Sequence, residues 1–322
     1  MALPALLKDR LSLPLIGSPM FILSNPDLVI AQCKAGIVGS FPALNARPQE
    51  KLDQWLSQIE NELADYARDN PDLPVAPYAV NQIIHASNDR LQDDMKTCIK
   101  HKVPIIITSL MAPNDIVKPV HDYGGLVFHD VINMRHARKA AAAGVDGLIL
   151  VCTGAGGHAG TLSPFALVNE VRQFFDGTII LSGAISNGYS ILSAQAMGAD
   201  LAYMGTRFIA TSEAGADPVY KQMLIDSSAS DIVYSSLFTG VHGNYLKPSI
   251  TAAGMDPDNL PEADKSSMSF GSGDSKAWRD IWGSGQGIGC IDNAPPTAEL
   301  VAQLRQEYAT AKAELQDKSD YR

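Results

Sequence analysis

Apolar and polar positions follow two alternating rhythms along the chain. Short runs rich in apolar and β-branched residues lie at 13–18, 36–41, 75–80, 104–109, 125–129, 147–152, 178–182 and 201–204. Each is followed by a stretch whose apolar residues recur at the helical spacing of three and four. These stretches predict helices that open at Pro26, span 48–68 and 88–101, open near Pro113, and span 133–143, 164–175, 187–197 and 218–227. Local signals agree with these boundaries. Asn133 is placed to cap the helix at 133–143, and a glycine stops a helix in both Ala143-Gly144-Val145-Asp146 and Met197-Gly198-Ala199-Asp200.

Eight strand–helix units in succession predict an α/β fold. Runs such as Ile105-Ile106-Ile107 and Leu148-Ile149-Leu150-Val151 are apolar on both faces, as strands of a parallel sheet are. Even spacing of the units favours closure into a (β/α)₈ (TIM) barrel over an open doubly wound sheet. Residues 1–227 then form the barrel. Residues 228–296, rich in Gly, Ser, Pro and Asp up to about 276, are expected as an irregular extension or lid over its mouth. Residues 297–322 are expected as a C-terminal helix packed on the barrel through a stripe of Leu300, Leu304, Ala311 and Leu315.

Composition narrows the partners. The formal net charge is −10 and the basic residues are scattered, so nucleic acid is not expected as a partner. No apolar run approaches the ~20 residues of a membrane span, and charged Lys8, Asp9 and Arg10 interrupt any signal-peptide core, so no membrane partner is expected. Cys33, Cys98, Cys152 and Cys290 form no Cys-x-x-Cys pair, and no histidine pair has metal-ligand spacing. A reducing cytoplasm is the expected compartment and no metal is expected. A homo-oligomer is compatible with the sequence, which does not decide the point.

In a barrel of this kind the chemistry sits on the loops after the strands. Those loops carry Pro19-Met20, Asn81, Ser109-Leu110, His129-Asp130, the segment 154–160, Ser182-Gly183-Ala184 and Gly205-Thr206-Arg207. Gly183 and Gly205 let backbone N–H groups approach an anion, which points to a phosphate site, although tight turns alone would also call for glycine. The segment Gly154-Ala155-Gly156-Gly157-His158-Ala159-Gly160 has four glycines around one histidine. Such a loop suits backbone passing close to a planar ligand, with His158 offered to the mouth as a proton acceptor. His129 ends a strand at the same mouth and is a candidate cofactor contact. His85, His101, His121, His136 and His242 read as surface or loop residues.

Three runs together resemble the nitronate monooxygenase family: residues 144–160, 181–185 and 197–208, the last containing Met204-Gly205-Thr206-Arg207-Phe208. Pro19-Met20, Asn81 and Gly285-Gln286-Gly287 are similar to further motifs of that family. The resemblance covers nearly the whole chain and is weakest over about 228–275. It implies an FMN-dependent barrel oxidoreductase that oxidises alkyl nitronates with O₂ to a carbonyl compound and nitrite. It also implies that His158 is the catalytic histidine beside the flavin. Met20, Asn81, Ser182, Gly183, Gly205 and Thr206 would hold FMN, with Ala184, Gly156 and Gly157 on the same loops and Gly285-Gln286 returning to the flavin. This chain departs from many relatives at Asp130, where they carry lysine after the fifth strand. The same fold and motifs also serve NAD(P)H-dependent flavin reductases of quinones or enoyl thioesters. The residues are compatible too with a barrel lyase or isomerase that uses the phosphate site for substrate, and with a non-catalytic flavin binder.

Overall fold

In the computed structural model, which describes residues 3–262 and 281–318, the two faces of each strand go to two different cores. The strands are β1 (Leu15–Gly17), β2 (Gly39–Pro42), β3 (Tyr78–Ile84), β4 (Ile105–Leu110), β5 (Leu126–Val131), β6 (Gly147–Val151), β8 (Thr178–Ser182) and β9 (Leu201–Met204). Side chains alternate across a strand with a period of two. Ile16, Val38, Ala79, Ile107, Phe128, Ile149, Ile180 and Leu201 point inward and fill the barrel. Their neighbours Leu15, Val80, Ile106, Val127, Leu148, Ile179 and Ala202 point outward and meet the helices. Leu7 of the N-terminal segment joins the inner core.

All eight strands run parallel, in the order β1-β9-β8-β6-β5-β4-β3-β2. The seam between β1 and β2 is closed by a parallel bridge between Ile16 and Val38, where Gly17 N donates to Val38 O at 2.8 Å. Between the strands lie α1 (Pro26–Lys34), α2 (Lys51–Asp69), α3 (Leu91–Lys100), α4 (Asn114–His121), α5 (Met134–Ala142), α6 (Pro164–Arg172) and α7 (Gly188–Ala196), followed by α8 (Thr206–Ile209) and α9 (Pro218–Ile225). Asparagine caps three of them: Asn25, Asn133 and Asn187 each accept from a backbone N–H of the first turn at 2.8–2.9 Å. Gly144 and Gly198, with φ of +86° and +105°, end the helices before β6 and β9 as expected.

The expected irregular stretch is more regular than its composition suggests. Strands β10 (Ile232–Ser235) and β11 (Gly243–Leu246), followed by α10 (Lys247–Ala252), lie within it. Together with β7 (Gly157–His158) they make a small antiparallel sheet in the order β10-β11-β7. Strands of two and four residues are too short to impose a readable period. The part of the expected extension or lid at 263–280 lies outside the described residues.

The last helix, α11 (Thr297–Asp317), packs against α7 and α1. It buries Leu300, Leu304 and Ala311, while Leu315 is exposed. Glu307 Oε2 accepts from Gly188 N at 2.8 Å, which fastens α11 to the start of α7. No helix among the described residues is long and apolar enough to cross a membrane.

Candidate active site

A cavity of about 800 Å³ opens at the C-terminal ends of the barrel strands. Its floor follows from the strand period. In six of the strands the next inward residue lies one step above the barrel core: Asn81, Ser109, Asp130, Val151, Ser182 and Tyr203 all border the cavity. They sit two residues beyond inward-facing Ala79, Ile107, Phe128, Ile149, Ile180 and Leu201.

The floor is a directed hydrogen-bond chain. Asn81 Nδ2 donates to Ser109 Oγ at 2.8 Å, and Ser109 Oγ donates to Asp130 Oδ2 at 2.6 Å. Asp130 Oδ1 and the Tyr203 hydroxyl are buried with no partner among the described residues. Burial pushes the Asp130 carboxyl up to about 6. The Tyr203 phenol is pushed above its ordinary value by burial and by the charge of Asp130.

The walls come from four loops that brace one another. Gly285 N donates to Thr206 Oγ1 at 2.9 Å, and Gln286 N donates to Gly154 O at 2.9 Å. Asn244 Nδ2 on β11 donates to Ala155 O at 2.7 Å. Backbones approach so closely here that a Cβ on Gly156 would meet Gly285 N at 2.8 Å, and one on Gly285 would meet Gly154 O at 2.7 Å. Gly183 adopts φ +137°, and a Cβ there would meet Thr153 O at 2.7 Å. The next residue, Ala184, also has a positive φ of +53°.

His158 stands in this wall on β7, paired with Gly243 of β11. Its Nε2 lies 2.9 Å from Thr239 Oγ1. Burial holds its imidazole down to about 4, so the ring is neutral at neutral pH.

Met20, Asn81, Gly156, Gly157, His158, Ser182, Gly183, Ala184, Gly205, Thr206 and Gly285 all border the cavity. Two other candidates do not. Gln286 ties its backbone to Gly154 and leaves the border to Gly285 and Gly287. His129 points away, because Phe128 before it and Asp130 after it face inward. It is 2% exposed, its Nδ1 lies 2.8 Å from Thr108 Oγ1, and burial lowers its pKa to about 4.

Other bordering residues were not singled out from sequence. His136 and His242, expected as surface or loop residues, both border the cavity. The strand period marks Asp130 and Tyr203 once one inward residue is known, whereas nothing in the sequence marks Thr239. Among the described residues, no lysine or arginine borders the cavity, and no cluster of His, Cys, Asp and Glu has the makings of a metal site.

Parallel barrel, glycine-lined mouth and a histidine on the wall together define an α/β-barrel enzyme. Residues 6–307 match the family model for nitronate monooxygenase, and the chain belongs to that family of oxidoreductases. It is 26% identical over 345 aligned positions to a nitronate monooxygenase of Paraburkholderia phytofirmans, covering 91% of this chain and 92% of that one. Among solved structures, a nitroalkane oxidase from Streptomyces ansochromogenes superimposes with a TM-score of 0.81 at 22% identity, over 97% of this chain and 100% of that one. FabK from Thermotoga maritima does so with a TM-score of 0.75 at 24% identity, over 97% of each chain. At these identities the two superpositions speak for the fold.

Proposed function

We propose that the cavity binds FMN and that the chain oxidises alkyl nitronates with O₂ to a carbonyl compound and nitrite. The observation that carries this reading is His158. It is a neutral imidazole hydrogen-bonded to Thr239, set in the wall of the cavity. Family membership supports a flavin, and the residues present fit one. The positive-φ turn at Gly183-Ala184, beside Gly205 and Thr206, leaves room for a phosphate to approach backbone, and Ser182 and Thr206 add hydroxyls. The glycines at 156 and 285 let two loops at the cavity border pack backbone against backbone. A volume of about 800 Å³ suits a cofactor with a small substrate beside it.

FMN, held by the residues at the mouth, would supply the redox chemistry between nitronate and O₂. The protein's part is position and charge. A histidine held down to about 4 is a weak acceptor for the carbon-bound proton of a neutral nitroalkane. It is well suited to meet an anion that arrives already deprotonated, because the negative charge favours a proton on the ring. The substrate is accordingly the nitronate rather than the nitroalkane.

The test is anaerobic mixing of the yellow holoprotein with an alkyl nitronate, with the parent nitroalkane, and with NADH. Rapid bleaching by nitronate alone is expected. His158→Ala is expected to keep FMN and lose nitronate turnover about 100-fold or more. Undiminished turnover in that variant removes His158 from the mechanism. Bleaching by NADH alone reassigns the chain to an NAD(P)H-dependent reductase of quinones or enoyl thioesters.

A further inference from the structure

The rim of the cavity divides into two arcs of different chemistry. Strands β6, β8 and β9 are neighbours in the barrel, and above them lie the backbone-rich turns 154–157, 182–184 and 205–206. The other five strands, from β5 through β4, β3 and β2 to β1, complete the circle. Each brings an aliphatic side chain to the border at or beyond its C-terminal end: Ile132, Leu110, Ile83, Leu44 and Ile22 respectively.

Two of these residues sit in backbone that aliphatic side chains seldom adopt. Ile22 has φ +68° and Leu110 φ +80°. The left-handed region is most unfavourable for a β-branched residue, which persists there only where its surroundings hold it. Asn45 holds Ile22. Its Oδ1 accepts from Ile22 N at 2.9 Å, and its Nδ2 donates to Met20 O at 2.9 Å and to Ser24 O at 2.8 Å. Leu110 has the outward parity of β4, one step after inward Ser109, yet it borders the cavity because its left-handed φ ends the strand there. Ile22 is 51% exposed and Ile132 38%, so the arc offers aliphatic surface to the open cavity instead of burying it in the protein.

Charge points the same way. Among the described residues no lysine or arginine borders the cavity. Arg47 lies over the Phe21 ring, with Nε donating to Leu44 O at 3.0 Å, and stays off the border. Asp217, an acid, lies on it. Burial and the charges of Arg135 and Lys139 lower the His136 pKa, which keeps that ring neutral at neutral pH.

Resting on the nitronate reading, we propose that this arc seats the carbon chain of the substrate. The preferred nitronate carries a long alkyl chain. A chain that ends in a carboxylate is disfavoured, because no cation meets its charge on this border.

The test is steady-state turnover by the holoprotein of primary nitronates from ethyl to hexyl, beside one of hexyl length that ends in a carboxylate. kcat/KM is expected to rise about threefold per added methylene, somewhat less than full burial would give. The carboxylate-ended nitronate is expected to be at least about tenfold poorer than hexyl nitronate. Ile22→Ala truncates a half-exposed side chain and is expected to lower the hexyl-to-ethyl ratio of kcat/KM about fivefold. Ile22→Lys is expected to improve the carboxylate-ended nitronate relative to hexyl nitronate about threefold. Ratios taken within one protein are insensitive to how much flavin it carries. A series flat in chain length overturns the proposal, as does a carboxylate-ended nitronate turned over as well as hexyl nitronate. So does an Ile22→Ala protein that loses FMN affinity while its hexyl-to-ethyl ratio holds, since the arc then belongs to the cofactor. Failure of every nitronate, ethyl nitronate included, overturns the nitronate reading and this proposal with it.

Discussion

Nε2 of His158 and Oγ1 of Thr239 lie 2.9 Å apart, joining the wall of the cavity to the loop between β10 and β11. The Thr239 hydroxyl donates its proton to Val241 O at 3.0 Å, so toward the histidine it accepts. An accepting Thr239 favours the tautomer with its hydrogen on Nε2. Thr239 acts as a positioning residue that holds both ring orientation and tautomer. Thr239→Val keeps the shape but loses the acceptor. It is expected to lower kcat for nitronate about tenfold, in line with one lost hydrogen bond, while FMN affinity stays within about twofold. Thr239→Ser, which keeps the hydroxyl, is expected to restore kcat. Steady-state kinetics beside a flavin titration separate the outcomes. Equal kcat in the valine variant means that the bond does not orient the ring.

The strand–helix alternation was legible because strands such as Ile105-Ile106-Ile107 are continuously apolar and helices such as α2 and α5 strongly periodic. Asn133 and Gly144 marked helix ends through local chemistry that does not depend on tertiary contacts. The mouth loops were legible because glycine clusters such as 154–160 are costly unless backbone must pass close to something. What the sequence concealed was parity. His129 and Asp130 are adjacent, and choosing the one that faces the cavity requires knowing that Phe128 lies inside the barrel. A slip of one residue exchanges the faces. Thr239 and His242 were hidden for another reason. Thr239 reaches His158, and His242 the cavity, because β11 pairs with β7, a contact between residues some 85 positions apart.

The outward placement of His129 has a consequence for acid stability. Its folded-state pKa is lowered to about 4 by burial, against about 6.5 when the chain is unfolded. The unfolded chain thus takes up this proton first as pH falls. The stability associated with a neutral His129 is fully present above about pH 6.5 and is lost progressively toward pH 4, by roughly 3 kcal/mol in all. His129→Gln cannot take up a proton. Its unfolding free energy, measured by urea melts between pH 7 and pH 4.5, is expected to fall less steeply than that of the wild type. Parallel curves for the two proteins would show that His129 is reached by water in the folded state.

Gly183 separates two reasons for glycine, freedom of φ and want of space. At φ +137° with Thr153 O only 2.7 Å from a prospective Cβ, Gly183→Ala incurs both backbone strain and a clash with main chain. Gly157 also has a positive φ, +66°, but a Cβ there would meet nothing within 4 Å. Gly157→Ala therefore incurs strain alone, about 1–2 kcal/mol. The clash at 183 cannot be relieved by a side-chain rotation, because the obstructing atom belongs to the backbone of the loop that leads to Gly154. Relief requires moving that loop, which also holds Gln286 N through Gly154 O. Gly183→Ala is accordingly expected to cost more stability than Gly157→Ala and to weaken FMN binding at least about tenfold, since the displaced turn is the one proposed to receive the phosphate. Thermal melts and flavin titration of the two variants side by side make the comparison. If they lose stability equally and Gly183→Ala binds FMN normally, crowding at 183 is unimportant and the phosphate lies elsewhere on the mouth.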